Sequence, residues 1–508
     1  VAAIVNRLSI ADYYETMSTR TTMVCINTGT MRIVAASLLL AAAATLSARA
    51  NSVSIQTQHI LETGTRDVVG IPQNNGAFWD GSRYWLFYGD GTELRAKTGP
   101  SLDTLVDAPT GAGGTSNIGG LLNHRGHGTV FGTLDGEWHA WVLANRTPDG
   151  DPYSVYRWKL GENGLENPTS RTVSLSDKDE PTQATLTPGI GGFEVESLYG
   201  AIGVGLDDGT GDIYSRHIAP NLNADTGLGK VSPRGVHFSE ATPALEVHDG
   251  DGDKNWILNQ INIGDPESRN SVRNSSFSEW RRTQIAGGGE QWSAESELEA
   301  AGAGNWADMN YAVDRGTSHA GQTDFVQRAD GTIFNAYVDG HDDVNGLFGN
   351  LVLKMRGPNA DDGWSTVSTS AIPDGSTAWH VAMTSDGENP WLVYVKSADD
   401  TPGTTERQDA IHLLSYDPES DSFGDEIVIA EIADGFRFDR MITQWRFYDN
   451  QLVVLWSETD AGIFRDEHEG ATWRMNVTAV TIPEPGTLGL LALGGAATLL
   501  RHHPRRGC

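Results

Sequence analysis

The chain has 508 residues, long enough for a sizeable core and for about three ordinary domains. Its 36 lysines and arginines against 67 aspartates and glutamates leave a formal charge of −31, which sets aside a general nucleic-acid binder because phosphate repels an acidic surface. With 59 glycines, 15 tryptophans and 20% charged residues, it is neither a coiled coil nor a disordered chain.

The first element in chain order is an export signal. Arg32 follows Met31, an apolar run spans Ile33 to Leu46, and Ala48-Arg49-Ala50 supplies the small side chains that signal peptidase needs. Residues 31–50 are therefore expected to be a signal peptide, with the mature chain beginning near Asn51. Residues 1–30 carry no such logic, so translation is expected to start at Met31, or at Met23. The competing reading is a short membrane anchor, but the run falls short of the roughly 20 residues a bilayer requires. The only cysteines, Cys25 and Cys508, lie outside the expected mature chain. That leaves the domain no disulfide and no thiolate chemistry, so its stability rests on core burial.

Between Asn51 and Thr481 no long helical period appears. A short unit recurs instead, in which an Asp-Gly turn is followed by an aromatic or β-branched run. Asp80-Gly81 precedes Tyr84 to Tyr88, Asp135-Gly136 precedes Trp138 to Val142, and Asp330-Gly331 precedes Ile333 to Val338. Asp386-Gly387 precedes Trp391 to Val395, and Asp449-Asn450 precedes Leu452 to Trp456. Weaker copies stand at Asp208-Gly209 and Asp251-Gly252. Asp-Gly supplies the positive φ that tight hairpins need, and the following residues suit a half-buried strand. Further strands are expected at Ser154 to Trp158, Leu351 to Arg356 and Ile411 to Tyr416.

Repeated antiparallel units without helices point to an all-β fold, a β-propeller over residues 51–481. Seven units favour seven blades, with six or five as alternatives, and a large β-sandwich is the competing architecture. The stretch Phe78-Trp79-Asp80-Gly81-Ser82-Arg83-Tyr84-Trp85-Leu86-Phe87-Tyr88 resembles the inner strands of sialidase-like, BNR-repeat propellers. Asp361-Asp362-Gly363-Trp364-Ser365 is similar to a compressed form of their Asp-box turn, although the full spacing is met nowhere. The resemblance implies a propeller shared by sialidases, other glycoside hydrolases, polysaccharide lyases and silent binders, among which fold alone does not choose.

Histidines precede three of the turns. His124 and His319 each lie eleven residues ahead of their aspartates, with His127 and Gln322 at matching positions, and His380 follows Trp379 six residues before Asp386. These segments enter innermost strands, so His124, His127, His319, Gln322 and His380 are expected to line an axial mouth, with Asp324 and His341 nearby. A polysaccharide lyase needs a base for the C5 proton of a uronate and a cation or donor for its carboxylate. The histidines and Tyr311 are candidate bases, and Arg315 and Arg440 are candidate partners of the carboxylate. A glycoside hydrolase needs two carboxylates instead; Asp308, Asp314, Asp324 and Glu458 are available, and no spacing selects a pair. The competing account is that these histidines only hydrogen-bond loops.

His124-x-x-His127 allows zinc, but no HExxH motif accompanies it. Asp249, Asp251 and Asp253 alternate around one turn and are the calcium candidates, although Lys254 and Gln260 exclude an EF-hand. The alternative is a solvated acidic turn. No nucleotide cofactor is expected, since no phosphate-binding glycine loop stands out. Trp85, Trp141, Trp256, Trp391 and Trp456 read as core, whereas Trp306, Trp379 and Trp445 are placed to stack on sugar rings. Arg273, Arg281 and Arg282 form a local basic patch.

The last element spans residues 482–508. Pro483-Glu484-Pro485 is followed by the apolar run Leu488 to Leu500 and then by Arg501, Arg505 and Arg506. Proline breaks structure, the run can enter a membrane, and the arginines hold the end in the cytoplasm. This order resembles the PEP-CTERM sorting signal. The resemblance implies recognition and removal of the tail by an exosortase, and export by a Gram-negative bacterium that makes extracellular polysaccharide. The sequence thus leads to an exported or surface-held propeller acting on polysaccharide as lyase or hydrolase. A non-catalytic surface protein that binds or organises polysaccharide is the alternative, and a calcium-dependent adhesin the third reading.

Overall fold

The computed structural model describes residues 53–64, 76–90, 93–109, 117–120, 128–144, 153–173, 201–202, 214–218, 221–223, 225–230, 241–248, 254–263, 272–285, 289–297, 311–312, 323–328, 330–339, 349–358, 364–397, 409–444, 446–461 and 470–482. Ser54–Thr481 forms one compact unit. Its described elements are strands, apart from one short 3-10 turn at Leu102–Thr104.

The strands pair almost entirely with their neighbours in sequence. After β1 (Ser54–Thr63), the first sheet runs β2 (Ala77–Trp79), β3 (Tyr84–Gly89), β4 (Glu93–Gly99) and β5 (Val106–Asp107), with β6 (Asn117–Gly120) also on β4. The second is β7 (Gly128–Leu134), β8 (Glu137–Ala144), β9 (Tyr153–Gly161) and β10 (Gly164–Val173). The third is β11 (Ala201–Ile202), β12 (Tyr214–Ile218) and β13 (Asp225–Lys230). The fourth is β14 (Ala241–His248), β15 (Lys254–Ile263), β16 (Val272–Ile285) and β17 (Gly289–Glu297), with β18 (Tyr311–Ala312) on β16.

The fifth is β19 (Thr323–Gln327), β20 (Ile333–Asp339), β21 (Asn350–Arg356) and β22 (Ser365–Ser368). The sixth is β23 (Ala378–Ser385), β24 (Pro390–Ser397), β25 (Asp409–Asp417) and β26 (Ser422–Phe423), with β27 (Ile427–Glu431) on β25. The last is β28 (Arg437–Thr443), β29 (Gln451–Thr459) and β30 (Trp473–Thr481), and its fourth strand is β1.

That last pairing decides the architecture. The first described strand completes the last sheet, with Ser54 opposite Thr481 and Thr63 opposite Trp473. Successive antiparallel sheets, closed by pairing the first and last strands of the unit, form a β-propeller. A sandwich would need two sheets sharing one core, and the packing here is different. Along β3 every residue is buried, but alternate side chains face different neighbours. Leu86 and Tyr88 pack with Leu455, Met475 and Val477 of the closing sheet. Trp85 and Phe87 pack with Phe131, Val142 and Trp158 of the second sheet. The period of two thus sends each strand's side chains into two separate layers. The fifth and sixth sheets share a third such layer around Phe334, Leu353, Val381 and Leu392.

The recurrent Asp-Gly units are the hairpins between the first and second strands of sheets. Asp135 and Gly136 take φ of 55° and 78°, as a two-residue hairpin loop requires. At Asp80, Oδ1 accepts the Ser82 and Arg83 N–H groups at 2.8 Å, while Oδ2 accepts the Trp85 indole N–H at 2.7 Å. Asp386 repeats the device: Oδ1 accepts Glu388 and Asn389 N–H at 2.9 and 2.7 Å, and Oδ2 accepts Trp391 Nε1 at 2.9 Å. One carboxylate thereby fixes both the turn and the first large side chain of the next strand. Of the tryptophans expected in the core, Trp85, Trp141 and Trp456 are buried. Trp391 is only partly so, with its ring on Phe447, and the Trp256 side chain lies outside the described residues.

Candidate functional site

The hairpins define one end of the propeller, here the turn end. Neighbouring sheets meet there through backbone and aromatic contacts. Phe447 N–H donates to Ser385 O at 2.7 Å, and Trp79 N–H donates to Gln444 Oε1 at 3.3 Å. Phe78 stacks on Phe131 at 4.8 Å and tilts against Trp138 at 4.7 Å, and Trp138 meets Tyr448 edge-on at 5.1 Å. Gly81, at φ +93°, lies so close to Tyr448 that an added Cβ would come within 3.0 Å of its ring. This end is packed largely by aromatic rings in the first, second and closing sheets, with Gln327, Arg356, Ser385 and Gln444 also buried there.

The opposite end, the loop end, is where the inner strands begin. It is polar. In β28, Arg437, Arg440 and Thr443 are buried, and on the adjoining strands so are Asp409, Ser457, Glu458 and Asn476. Arg437 Nε donates to Ala461 O at 2.8 Å. The Phe438 N–H donates to Asp409 Oδ2 at 3.1 Å, and Ser457 Oγ donates to Asp439 Oδ2 at 3.0 Å. Glu458 accepts from both sides, from Ala433 N–H at 2.9 Å and from Asn476 Nδ2 at 3.4 Å. His380 of the neighbouring β23 is 1% exposed, and its ring meets Phe438 edge-on at 5.1 Å. Both inner strands slip register here, β23 at Trp379 and β28 at Asp439. Such bulges re-aim side chains and recur beside functional sites.

The expected site residues divide as follows. His380 and Arg440 are both buried, on β23 and on the neighbouring β28, where the His380 ring meets Phe438. Asp324 sits on β19 and reaches the same β23: its Oδ2 accepts Met383 N–H at 2.7 Å and its Oδ1 accepts Phe325 N–H at 2.8 Å. Desolvation pushes its carboxyl up to about 7, and the two backbone donors only partly offset that. Tyr311 lies on β18 opposite Arg273, and Trp379 lies on β23, but neither side chain is described. His124, His127, Arg315, His319, Gln322, His341 and Trp445 lie outside the described residues. So do Asp249, Asp251 and Asp253, and Pro483, Glu484 and Pro485. Among the described residues, no group of three or more histidine, cysteine or carboxylate side chains is placed to hold a metal.

Sequence reasoning missed two features. Thr443 Oγ1 donates to Met383 O at 3.2 Å, so Asp324 and Thr443 hold the two sides of one peptide strand from adjoining sheets. A signal existed. Thr129, Asp324, His380 and Thr443 all stand six residues ahead of their turn aspartates, and all are polar on inner strands. The second is a cluster on the sixth sheet. Lys396 Nζ meets Asp374 Oδ2 at 2.5 Å and Glu426 Oε2 at 3.2 Å, Tyr394 OH donates to Glu426, and His412 Nδ1 lies 3.2 Å from the same carboxylate. Burial, then the Glu426 hydrogen bond, raises the Tyr394 phenol, while burial lowers His412. With Tyr394 buried and Asp374 exposed, this cluster ties the loops that carry Asp374 and Glu426 to the sheet.

Residues 481–506 match the PEP-CTERM protein-sorting motif. The chain carries a PEP-CTERM sorting signal. That motif marks the chain for export and surface sorting and for exosortase processing, as its Pro-Glu-Pro, apolar run and arginines lead one to expect. No curated protein matches the sequence. Among solved structures, a fungal alcohol oxidase of the AA5 family in complex with copper is 11% identical, with a TM-score of 0.40, over 84% of this chain and 76% of its own. The polysaccharide lyase Uly1 is 10% identical, with a TM-score of 0.31, over 81% and 90%. A fucose-specific lectin from Aleuria aurantia is 10% identical, with a TM-score of 0.36, over 81% and 96%. Likenesses this faint carry no argument, and the propeller rests on the strand order given above.

Proposed function

We propose that this is an exported, surface-sorted β-propeller of seven blades that acts on extracellular polysaccharide at its loop end. The seven sheets among the described residues support the blade number. The observation that carries the site is the contrast around the closing sheet: aromatic packing joins the sheets at the turn end, and His380, Arg437, Arg440 and Glu458 are buried beside the bulged starts of β23 and β28 at the other. In this reading His380 and Arg440 are positioning residues, because both are buried. Substrate contact falls to the segments that lead into inner strands, with His124, His127, His319 and Tyr311 as candidate bases and Arg315, Gln322, Trp379 and Trp445 as candidate binding groups.

Elimination is favoured over hydrolysis. Hydrolysis needs two carboxylates free to act across the scissile bond. Of the four candidate carboxylates, Asp308 and Asp314 lie outside the described residues, and both oxygens of Asp324 and both of Glu458 already accept hydrogen bonds within the protein. A lyase needs one base at C5, a donor for the uronate carboxylate, and proton donation to the departing C4 oxygen. The burial of His380 favours a second reading, a polysaccharide binder without turnover. Calcium at Asp249, Asp251 and Asp253 remains part of the proposal, as a stabiliser of the turn before β15.

The test is incubation of the full chain with neutral, uronic-acid and sulfated polysaccharides, with calcium and with chelator. The expected result is a joint rise of reducing ends and of the ultraviolet absorbance of an unsaturated uronate. Reducing ends alone would move the reading to a hydrolase. Retention on a polysaccharide column without turnover would establish the binder, and the absence of both turnover and retention would overturn the polysaccharide reading.

A further inference from the structure

The strand register fixes where the sorting tail leaves the propeller. In the closing sheet, Thr481 stands opposite both Gln451 and Ser54. Gln451 follows directly on the Asp449-Asn450 hairpin. The chain therefore leaves β30, and enters β1, at the turn end. The far row of the same sheet, Arg437, Thr459, Trp473 and Thr63, lies at the loop end. The sorting motif begins at residue 481, the last residue of β30, so no linker separates sheet from signal.

The reach of the tail follows from arithmetic. From Thr481 to the apolar run at Leu488 there are seven residue steps, which span at most about 25 Å when fully extended. Two of the intervening residues are Pro483 and Pro485, which restrict the chain further. β30 cannot peel away to lengthen the tether, because it is bonded to β29 on one side and to β1 on the other along its whole length. Nine strand residues span roughly 30 Å, so the loop end stands about that much farther from the point of exit.

We infer that, while the tail is inserted, the propeller is held with its turn end toward the bilayer and its loop end facing outward. The surface chemistry agrees with a tether rather than adhesion. Asp135, Glu137, Glu162, Asp386, Glu388 and Asp449 are exposed at the turn end, and only Glu137 of these has a lysine partner, Lys159, among the ion pairs described. Carboxylates gain nothing from lipid phosphates, which carry the same charge, so this face offers the headgroups no electrostatic adhesion. Polysaccharide would meet the loop end without competition from the membrane. The inference rests on the sorting motif and the register alone, so its failure would leave the polysaccharide reading untouched, and the converse holds as well.

The experiment uses the full precursor, with Cys25→Ser and Cys508→Ser, retained in the membrane of a host that lacks a sorting transpeptidase. Single cysteines are placed at the turn end, Glu162→Cys or Glu388→Cys, and at the loop end, Ser370→Cys or Asp434→Cys, all exposed positions. Spheroplasts are treated with a bulky maleimide-polyethylene glycol and the rates compared. The loop-end cysteines are expected to react several-fold faster. A flexible glycine-serine spacer of about 20 residues after Thr481 is expected to bring the rates together. Equal rates without the spacer would overturn the inference. A difference that persists with the spacer would overturn it too, by showing that local accessibility sets the rates.

Discussion

The two ends of this propeller are built from different chemistry. At the turn end, short hairpins are locked by single aspartates, and aromatic rings pass from sheet to sheet: Trp391 to Phe447, Tyr448 to Trp138, Trp138 to Phe78, Phe78 to Phe131. At the loop end, arginines, carboxylates and a histidine are buried beside bulges in β23 and β28. The difference separates what holds the sheets together from where the buried charged groups of the closing sheet are placed. A ring needs one end that fixes the spacing of its sheets, and Asp-Gly hairpins with aromatics supply it at low entropy cost. It can then place costly buried polar groups at the other end, where their desolvation is offset by hydrogen bonds.

This contrast can be broken from the turn end with the largest effect. Trp85→Ala would empty a fully buried site between two sheets and take from Asp80 Oδ2 its indole donor. A loss of about 3–5 kcal/mol is expected in urea unfolding. A loss below about 1 kcal/mol would mean that the turn end does not hold the sheets together. Asp386→Ala comes next. It removes three hydrogen bonds, two to turn N–H groups and one to the Trp391 indole, at a partly exposed site. About 1–2 kcal/mol is expected, with polysaccharide binding unchanged.

The inter-sheet bonds on β23 sharpen the comparison through pH. Asp324 has a carboxyl raised to about 7 in the folded protein, mainly by desolvation, against an unfolded value near 3.8. The folded state therefore holds the proton more tightly. Its contribution is full below the unfolded value and is lost as pH rises through the folded one, so stability falls between about pH 4 and pH 7. Chemical unfolding across that range should show the decline in the wild type and a flatter profile in Asp324→Asn. Parallel profiles would contradict the assignment. Thr443→Val has the smallest expected effect, about 0.5–1.5 kcal/mol, because it removes one hydroxyl bond to Met383 O and keeps the side-chain shape.

The legible part of the fold was the local part. Asp-Gly followed by aromatic and β-branched residues announces a hairpin within a dozen positions, and the expected strands at Ser154, Leu351 and Ile411 fall within β9, β21 and β25. The closure of β1 on β30 was not legible, because it joins Ser54 to Thr481 and no local pattern encodes the pairing. The buried polar residues of the proposed site were legible in part for the same reason. His380 and Arg440 stand out as polar residues on apolar strands. The use of Asp324 as a bond to β23, and the Lys396, Glu426 and Tyr394 cluster, depend on contacts between distant segments. Equivalent offsets from the turn aspartate were the one sequence signal for such contacts, visible at Thr129, Asp324, His380 and Thr443.

The central claim is that the loop end is the working end. Amide hydrogen exchange of the full chain, with and without a polysaccharide from the panel that it retains, tests this most directly. The account predicts added protection in peptides that cover the starts of β23 and β28, around Ala378 to His380 and Arg437 to Arg440, with the hairpins at Asp80 to Trp85 and Asp386 to Trp391 unchanged. Protection at those hairpins, with the strand starts unaffected, would contradict it.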